Sequence, residues 1–196
     1  MAWPYAAWLG AFVVAPMLLI LLYAFTKQGN DVLTLNFTLD NFAKFFSDSI
    51  FPVVLWRSLT IAFYTTIICI LIGYPVAYIV AQMSEKKQEF FIFLIPLPMW
   101  INILIRTYAW KGLLSYFDFD ATFKVMVGMV YNFLPFMILQ IHTSLSKLDR
   151  NLITAAQDLG ANNVQTFLRV TLPLSIPGVI SGITLVFLPA VYSFFI

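Results

Sequence analysis

The chain has 196 residues, 61% hydrophobic and only 10% charged, with a mean hydropathy of +0.89, whereas soluble chains are roughly 45–50% apolar and 25% charged; a water-soluble globule is excluded. A net charge of +2 from 11 Lys+Arg and 9 Asp+Glu is too weak and dispersed for a nucleic-acid footprint, and one Cys and one His exclude an intrachain disulfide and leave no basis for a metal or catalytic cluster. At roughly 20 residues per spanning helix, the length accommodates five or six spans of an all-α polytopic membrane protein that is not itself an enzyme.

The first apolar run, about Tyr5 to Phe25, holds Gly10 and Pro16. Without a basic leader or a small-residue cleavage pattern it reads as a span and not a signal peptide. A polar stretch follows, Thr26 to Ser49, with Lys27, Asp31, Asp40, Lys44 and Asp48. Within it Thr38 to Phe46 has a polar cap and apolar residues at helical spacing, which predicts a short interfacial helix. The second span covers about Ser58 to Val80 with Gly73 and Pro75, the third about Phe90 to Tyr108 with Pro96 and Pro98, and the fourth about Val125 to Ile141 with Gly128 and Pro135. Proline in span after span is a transporter-like habit, because each freed carbonyl needs a partner in a neighbouring helix or water. A tight polar loop, Gln82 to Glu89, joins the second and third spans.

From Thr143 to Pro173 the composition changes, with polar residues every few positions. Asp149 is placed to cap a helix from Arg150 to Leu159, and Gly160 to end it in the left-handed conformation. Asn162 starts a second short helix with Gln165 completing a capping box, and Pro173 is expected to stop it. The segment therefore reads as a helix-turn-helix between two spans. The last apolar run, Leu174 to Ile196, carries Pro177, Gly178, Gly182 and Pro189 and is still hydrophobic at its end. Basic residues divide five against six between the two sets of loops, so the positive-inside rule gives no orientation.

Orientation comes instead from Thr154-Ala155-Ala156, three residues, Gly160, nine residues, then Val170-Thr171-Leu172-Pro173. This spacing resembles the EAA motif, E-A-A-x3-G-x9-I-x-L-P, of the cytoplasmic loop in permease subunits of ATP-binding-cassette importers. Thr154 stands where that family usually has Glu, so a salt bridge from that position to an ATPase is absent. Two short helices of roughly 15 Å or less, with small Ala155 and Ala156 and a turn at Gly160, make a rigid peg that fits a groove on an ATPase. An ordinary loop helix with a glycine stop is the alternative; the spacing, the Leu-Pro pair and the flanking spans favour the peg.

The resemblance extends to Gly73 to Tyr78, to Pro96 through Tyr108, and to Leu134 to Met137 and Ser144 to Asp149, which look like the PotB-type permeases of spermidine/putrescine importers. It implies a type I importer permease in the bacterial inner membrane with six spans, five of them visible here. It also implies a PotC-type second permease, two copies of an ATPase that holds ATP and Mg, an external polyamine-binding protein, and no cofactor in this chain. The residues it assigns to ATPase coupling are Thr154, Ala155, Ala156, Asp158, Gly160, Leu172 and Pro173. The segment Lys111 to Lys124 is shorter than in that family, and the peg and the loop Ser84 to Glu89 are expected to be cytoplasmic.

A polyamine path requires carboxylates or aromatic faces with neutral oxygens. The third and fourth spans offer Trp100, Asn102, Tyr108, Trp110, Tyr131 and Asn132, and the fifth Tyr192; each also suits an interface belt or bundle packing. Arg106 argues mildly against a cation path and suits snorkelling, while Asp118 and Asp120 read as solvated loop charges. Cys69 and His142 read as packing residues. The rival functions are the same machine with another cargo (iron, thiamine or an anion) and a secondary transporter, which usually wants intramembrane acids.

Overall fold

The computed structural model describes residues 3–26, 37–47 and 50–193. Lys27, Asp31, Asp48 and the end of the last apolar run lie outside the described residues. Two compact units are distinguished, Met1–Trp56 and Arg57–Ile196.

In the first unit, α1 (Trp3–Leu9), a π turn (Gly10–Val14) and α2 (Ala15–Ala24) form the first span. The π turn ends two residues before Pro16, and Ala15 N–H reaches the Gly10 carbonyl five residues back. A proline in an α-helix clashes with the carbonyl four residues earlier, and the widened turn relieves that clash. The short helix expected over Thr38 to Phe46 is present as α3 (Asp40–Ser47). It is fastened by Asn41, whose Nδ2 donates to the carbonyls of Tyr23 (3.3 Å), Ala24 (3.2 Å) and Thr26 (2.9 Å) at the end of the span. Phe42 packs on Phe25 and Phe45 on Phe51.

The second unit is built around α4 (Ile50–Ala81), α7 (Ala121–Ser146) and α10 (Leu172–Ser193). Arg57 donates to Thr122 Oγ1 at 3.1 Å, so α4 and α7 start at the same end, whereas the beginning of α10 lies against the end of α7 and runs back. Met137 is fully buried between them. A Cβ on Gly73 of α4 would fall 3.1 Å from Met137 Cγ, and one on Gly182 of α10 2.5 Å from Met137 Sδ. A Cβ on Gly178 would meet the Ser144 side chain and lie 2.9 Å from the Gln140 carbonyl oxygen. Ser175, Gly178, Gly182, Val186 and Ala190 form the buried stripe of α10. Lipid tails are as apolar as leucine, so close approach at small residues, and not hydrophobicity, selects the packed face.

The expected third span is not one helix. α5 (Glu85–Leu94), a 3-10 turn (Leu97–Trp100) and α6 (Ile103–Ser115) form a pair bent by 85°. Pro96 and Pro98 remove two backbone donors within three residues, and Asn102 starts a new helix by accepting from Leu104 N–H at 2.8 Å. The polar loop is likewise shorter than expected. Glu85 already opens α5, and Gln88 reaches back with its Nε2 to the carbonyls of Ala81 and Met83, both at 2.9 Å, closing the end of α4. The segment from Lys111 to Lys124 begins as the last turn of α6 and ends as the first turn of α7, and Asp120 caps α7 by accepting from Thr122 N–H at 2.9 Å.

Candidate functional site

At the end of α7 the chain turns into the segment read from sequence as a peg. Asp149 accepts from Asn151 N–H at 2.9 Å and starts α8 (Arg150–Asp158). Gly160 has φ +87°, and two bonds close the helix around it: Gly160 N–H to the Gln157 carbonyl at 2.9 Å and Ala161 N–H to the Ala156 carbonyl at 3.1 Å. This is a Schellman closure, which needs a left-handed residue at that position. α9 (Asn163–Thr166) opens with both halves of the capping box, Gln165 N–H to Asn162 Oδ1 at 2.8 Å and Asn162 N–H to Gln165 Oε1 at 3.1 Å.

The expected stop at Pro173 does not occur. A π turn (Phe167–Thr171) follows α9 and runs directly into α10, with Leu172 N–H reaching the Phe167 carbonyl. As at Pro16, the wide turn precedes the proline by two residues and lets the helical run continue through it. The second arm of the peg is thus continuous with a span.

Phe167 joins the two. Its ring meets Tyr78 edge-on at 5.2 Å and Tyr74 at 5.8 Å, both on α4, and Tyr74 Oη lies 2.8 Å from Ser175 Oγ on α10. Aromatic pairs in such geometry contribute about 0.5–1.5 kcal/mol beyond burial. A displacement of the peg therefore acts on α4 and α10 together. Sequence reasoning missed Phe167, Tyr74 and Ser175 as a tie; the i, i+4 spacing of Tyr74 and Tyr78 was the available signal.

The residues read from sequence as ATPase-coupling divide by position. Ala155 and Asp158 are exposed on α8, Ala156 half-buried, and Gly160 exposed at the turn. Thr154 lies on the side of α8 that, with Gln157, lines a cavity against the α4–α5 turn. Leu172 packs partly into the core, and exposed Pro173 sits beside it at the root of α10. The peg's exposed apolar residues are instead Leu159, 90% exposed, with Leu152, Val164 and Leu168, an uncovered set fit for a partner surface. Leu159 precedes Gly160 and was overlooked because apolar residues there read as helix interior.

The residues read as a substrate path are gathered only in part by this chain. Trp110 and Tyr131 meet edge to face at 5.1 Å across α6 and α7. Next to Tyr131, the buried Oδ1 of Asn132 has no partner among the described residues, and neither do the buried Nε and Nη1 of Arg106, one turn before Trp110. Trp100 pairs with Phe93 at 5.8 Å, the Asn102 side chain caps α6, and Tyr108 and Tyr192 are exposed. His142 is buried with Ser146 Oγ as its hydrogen-bond partner, 3.2 Å from Nε2, and Cys69 is buried in the core.

Spans packed on small residues, one bent pair and a helical peg rooted in two of the spans define an integral-membrane transport component. The chain belongs to the family described as binding-protein-dependent transport system inner membrane component, which it matches over residues 6–196. It is 39% identical to the spermidine/putrescine transport system permease protein PotB of Haemophilus influenzae, across 97% of this chain and 73% of that protein. With the protein of the same name from Escherichia coli K12 the identity is 36%, across 96% and 75%. A bacterial ABC transporter involved in the import of the acidic polysaccharide alginate has the same fold, with a TM-score of 0.64 at 19% identity over 95% of this chain and 69% of that one.

Proposed function

We propose that this chain is the membrane-spanning permease subunit of an ATP-driven importer of polyamines such as spermidine and putrescine. It forms the translocation path with a PotC-type second permease, receives cargo from an external polyamine-binding protein, and the permease pair works with two copies of an ATP-binding subunit on the cytoplasmic side. ATP and Mg reside on those subunits, and this chain contributes no cofactor.

The observation that carries the coupling role is the tie of Phe167 to Tyr74 and Tyr78, because it converts motion of an exposed peg into motion of two spans. Leu159 enters the ATPase groove, Gly160 holds the tip rigid, and the unbroken run from α9 into α10 transmits the displacement. The cargo assignment is supported by the relatives above, and the Trp110–Tyr131 pair suits it: an aromatic face stabilises an organic ammonium by about 0.5–2 kcal/mol. Contacts that weak let cargo move on, which leaves selectivity to the binding protein. Arg106, with its buried unpartnered nitrogens, favours an anionic cargo instead, and the experiment includes that arm.

The test is reconstitution of the complex in lipid. Binding protein loaded with spermidine or putrescine is expected to stimulate ATP hydrolysis and drive uptake, Trp110→Ala to reduce uptake without dissociating the complex, and Leu159→Asp to abolish stimulation while membrane insertion is retained, since an interface anchor is worth about 2 kcal/mol or more. Stimulation by an anion-loaded binding protein and not by a polyamine-loaded one overturns the cargo; full stimulation of Leu159→Asp overturns the coupling surface.

A further inference from the structure

The guanidinium of Arg106 carries a charge that no described residue of this chain answers. Its Nε and Nη1 are buried without a hydrogen-bond partner, and arginine cannot escape by losing its proton. None of the nine Asp and Glu residues of the chain falls within α4, α6, α7 or α10. Asn132, beside Tyr131, has a buried Oδ1 that is also without a partner, but an amide oxygen supplies a hydrogen bond and no opposite charge.

Depth closes the usual way out. α6 leads through residues 116–120 to the start of α7, and Trp110 of α6 meets Tyr131 of α7. Tyr131 stands about 15 Å along α7 from Ala121, near the middle of a hydrocarbon core roughly 30 Å thick. Arg106 lies one turn before Trp110 and so at that depth or beyond it, further from either surface than an arginine side chain reaches. Snorkelling, the role that its residue type suits, is therefore not open to it.

The surface around it is open. Ile103, Ala109 and Leu113 share its side of α6 at helical spacing, and all three are exposed. A Cβ on Gly112 would meet nothing within 4 Å, and the small residues Ala109 and Gly112 let another helix come close. Lipid offers no charge at that depth, and an anionic cargo would answer the guanidinium only while in transit. We propose that α6 packs against a span of the second permease that carries an Asp or Glu opposite Arg106, so that an ion pair inside the membrane joins the two chains. Each charge is costly in its own subunit and answered in the pair, which favours the correct permease over others. This inference rests on the reading above that the chain works with a second permease.

The experiment compares Arg106 variants in the chain purified alone and in the reconstituted complex, by thermal unfolding in nanodiscs and by co-purification of the two permeases. Arg106→Gln should leave the lone chain at or above the wild-type melting temperature, because it removes an unanswered charge. In the complex it should lower that temperature by about 5 °C or more, because it strands the partner's carboxylate. Arg106→Lys keeps the charge and should retain assembly. Arg106→Glu should cut recovery of the second permease about tenfold or more, and changing the intramembrane Asp and Glu residues of that subunit to Arg, one at a time, should restore it at a single position. Equal losses from Arg106→Gln in the lone chain and in the complex place the countercharge within this chain and overturn the proposal. So does the absence of any rescuing position, or unchanged assembly of Arg106→Gln with loss of uptake of an anion. Rescue by charge exchange in a complex that fails to take up polyamine overturns the cargo assignment and leaves the ion pair standing; a wild-type chain that recovers no second permease overturns both.

Discussion

The first span and the last make the same kind of sequence and opposite kinds of surface. Both are apolar throughout, and both carry a proline two residues after a π turn, Gly10–Val14 before Pro16 and Phe167–Thr171 before Pro173. Yet no residue of α2 is buried, whereas α10 buries Ser175, Gly178, Gly182, Val186 and Ala190. A Cβ on Gly10 would meet nothing within 4 Å, while one on Gly178 would collide with α7. Apolar character qualifies a helix for the bilayer and says nothing about which face meets another helix. A row of small residues three and four apart does.

The strongest way to break that contrast is to place the same bulk on both helices. Gly178→Leu should destabilise the protein by about 3 kcal/mol or more, because backbone and the Ser144 side chain stand where the new side chain must go. Gly10→Leu should be neutral or slightly stabilising, since leucine is the better helix former. Thermal unfolding in detergent followed by fluorescence-detected gel filtration reads both; equal losses would mean that the glycine stripe does not define the packed face. Next in size, Gly182→Ala meets the flexible end of Met137 and should lose about 1–2 kcal/mol in the same assay, with part of it recovered by a simultaneous Met137→Ala.

Smaller effects sharpen the picture at the two ends of the α7–α10 pair. Tyr74→Phe deletes the 2.8 Å contact with Ser175 and should lose about 1 kcal/mol, while retaining the ring packing on Phe167 and therefore ATPase coupling. At the opposite end, hydrogen bonds from Thr122 hold the Asp120 carboxyl below the usual carboxylate range, with a smaller contribution from the Arg57 guanidinium. A depressed folded value means the stabilisation is complete above the unfolded value of about 4 and is lost as pH falls through the folded one. Asp120→Asn should therefore lower the melting temperature slightly at neutral pH, where the charged carboxyl stabilises the fold, and converge with the wild type as pH falls below about 4.

Much of the two-helix segment was legible because its determinants are local. Asp149, Gly160, Asn162 and Gln165 act within a few residues of themselves, through caps and a left-handed turn, and all four do in the structure what their spacing demanded. The tie to the membrane was not legible, since Tyr74 lies about ninety residues before Phe167 and Ser175 in the sequence and the i, i+4 spacing of Tyr74 and Tyr78 does not say which ring they meet. Three prolines act opposite to their expected parts, those placed inside the third span and the one placed as a stop. Pro96 and Pro98 break the third span because Asn102 stands ready to cap a new helix, whereas Pro173 is absorbed by a π turn and Pro75 and Pro135 lie within continuous helices.

The sequence by itself determined that this protein lives in a membrane, that it is helical, and that one polar segment is a capped two-helix peg, because composition and short-range capping settle those matters irrespective of the rest of the chain. Only the tertiary structure decided which faces of the spans meet, that the peg is rooted through Phe167 in α4 and α10, and that Leu172 packs into the core. Those outcomes depend on contacts between residues dozens of positions apart. In a chain apolar nearly throughout, hydrophobic pattern carries no information about which such contacts form, and the decision falls to shape and to the few polar groups that must find partners.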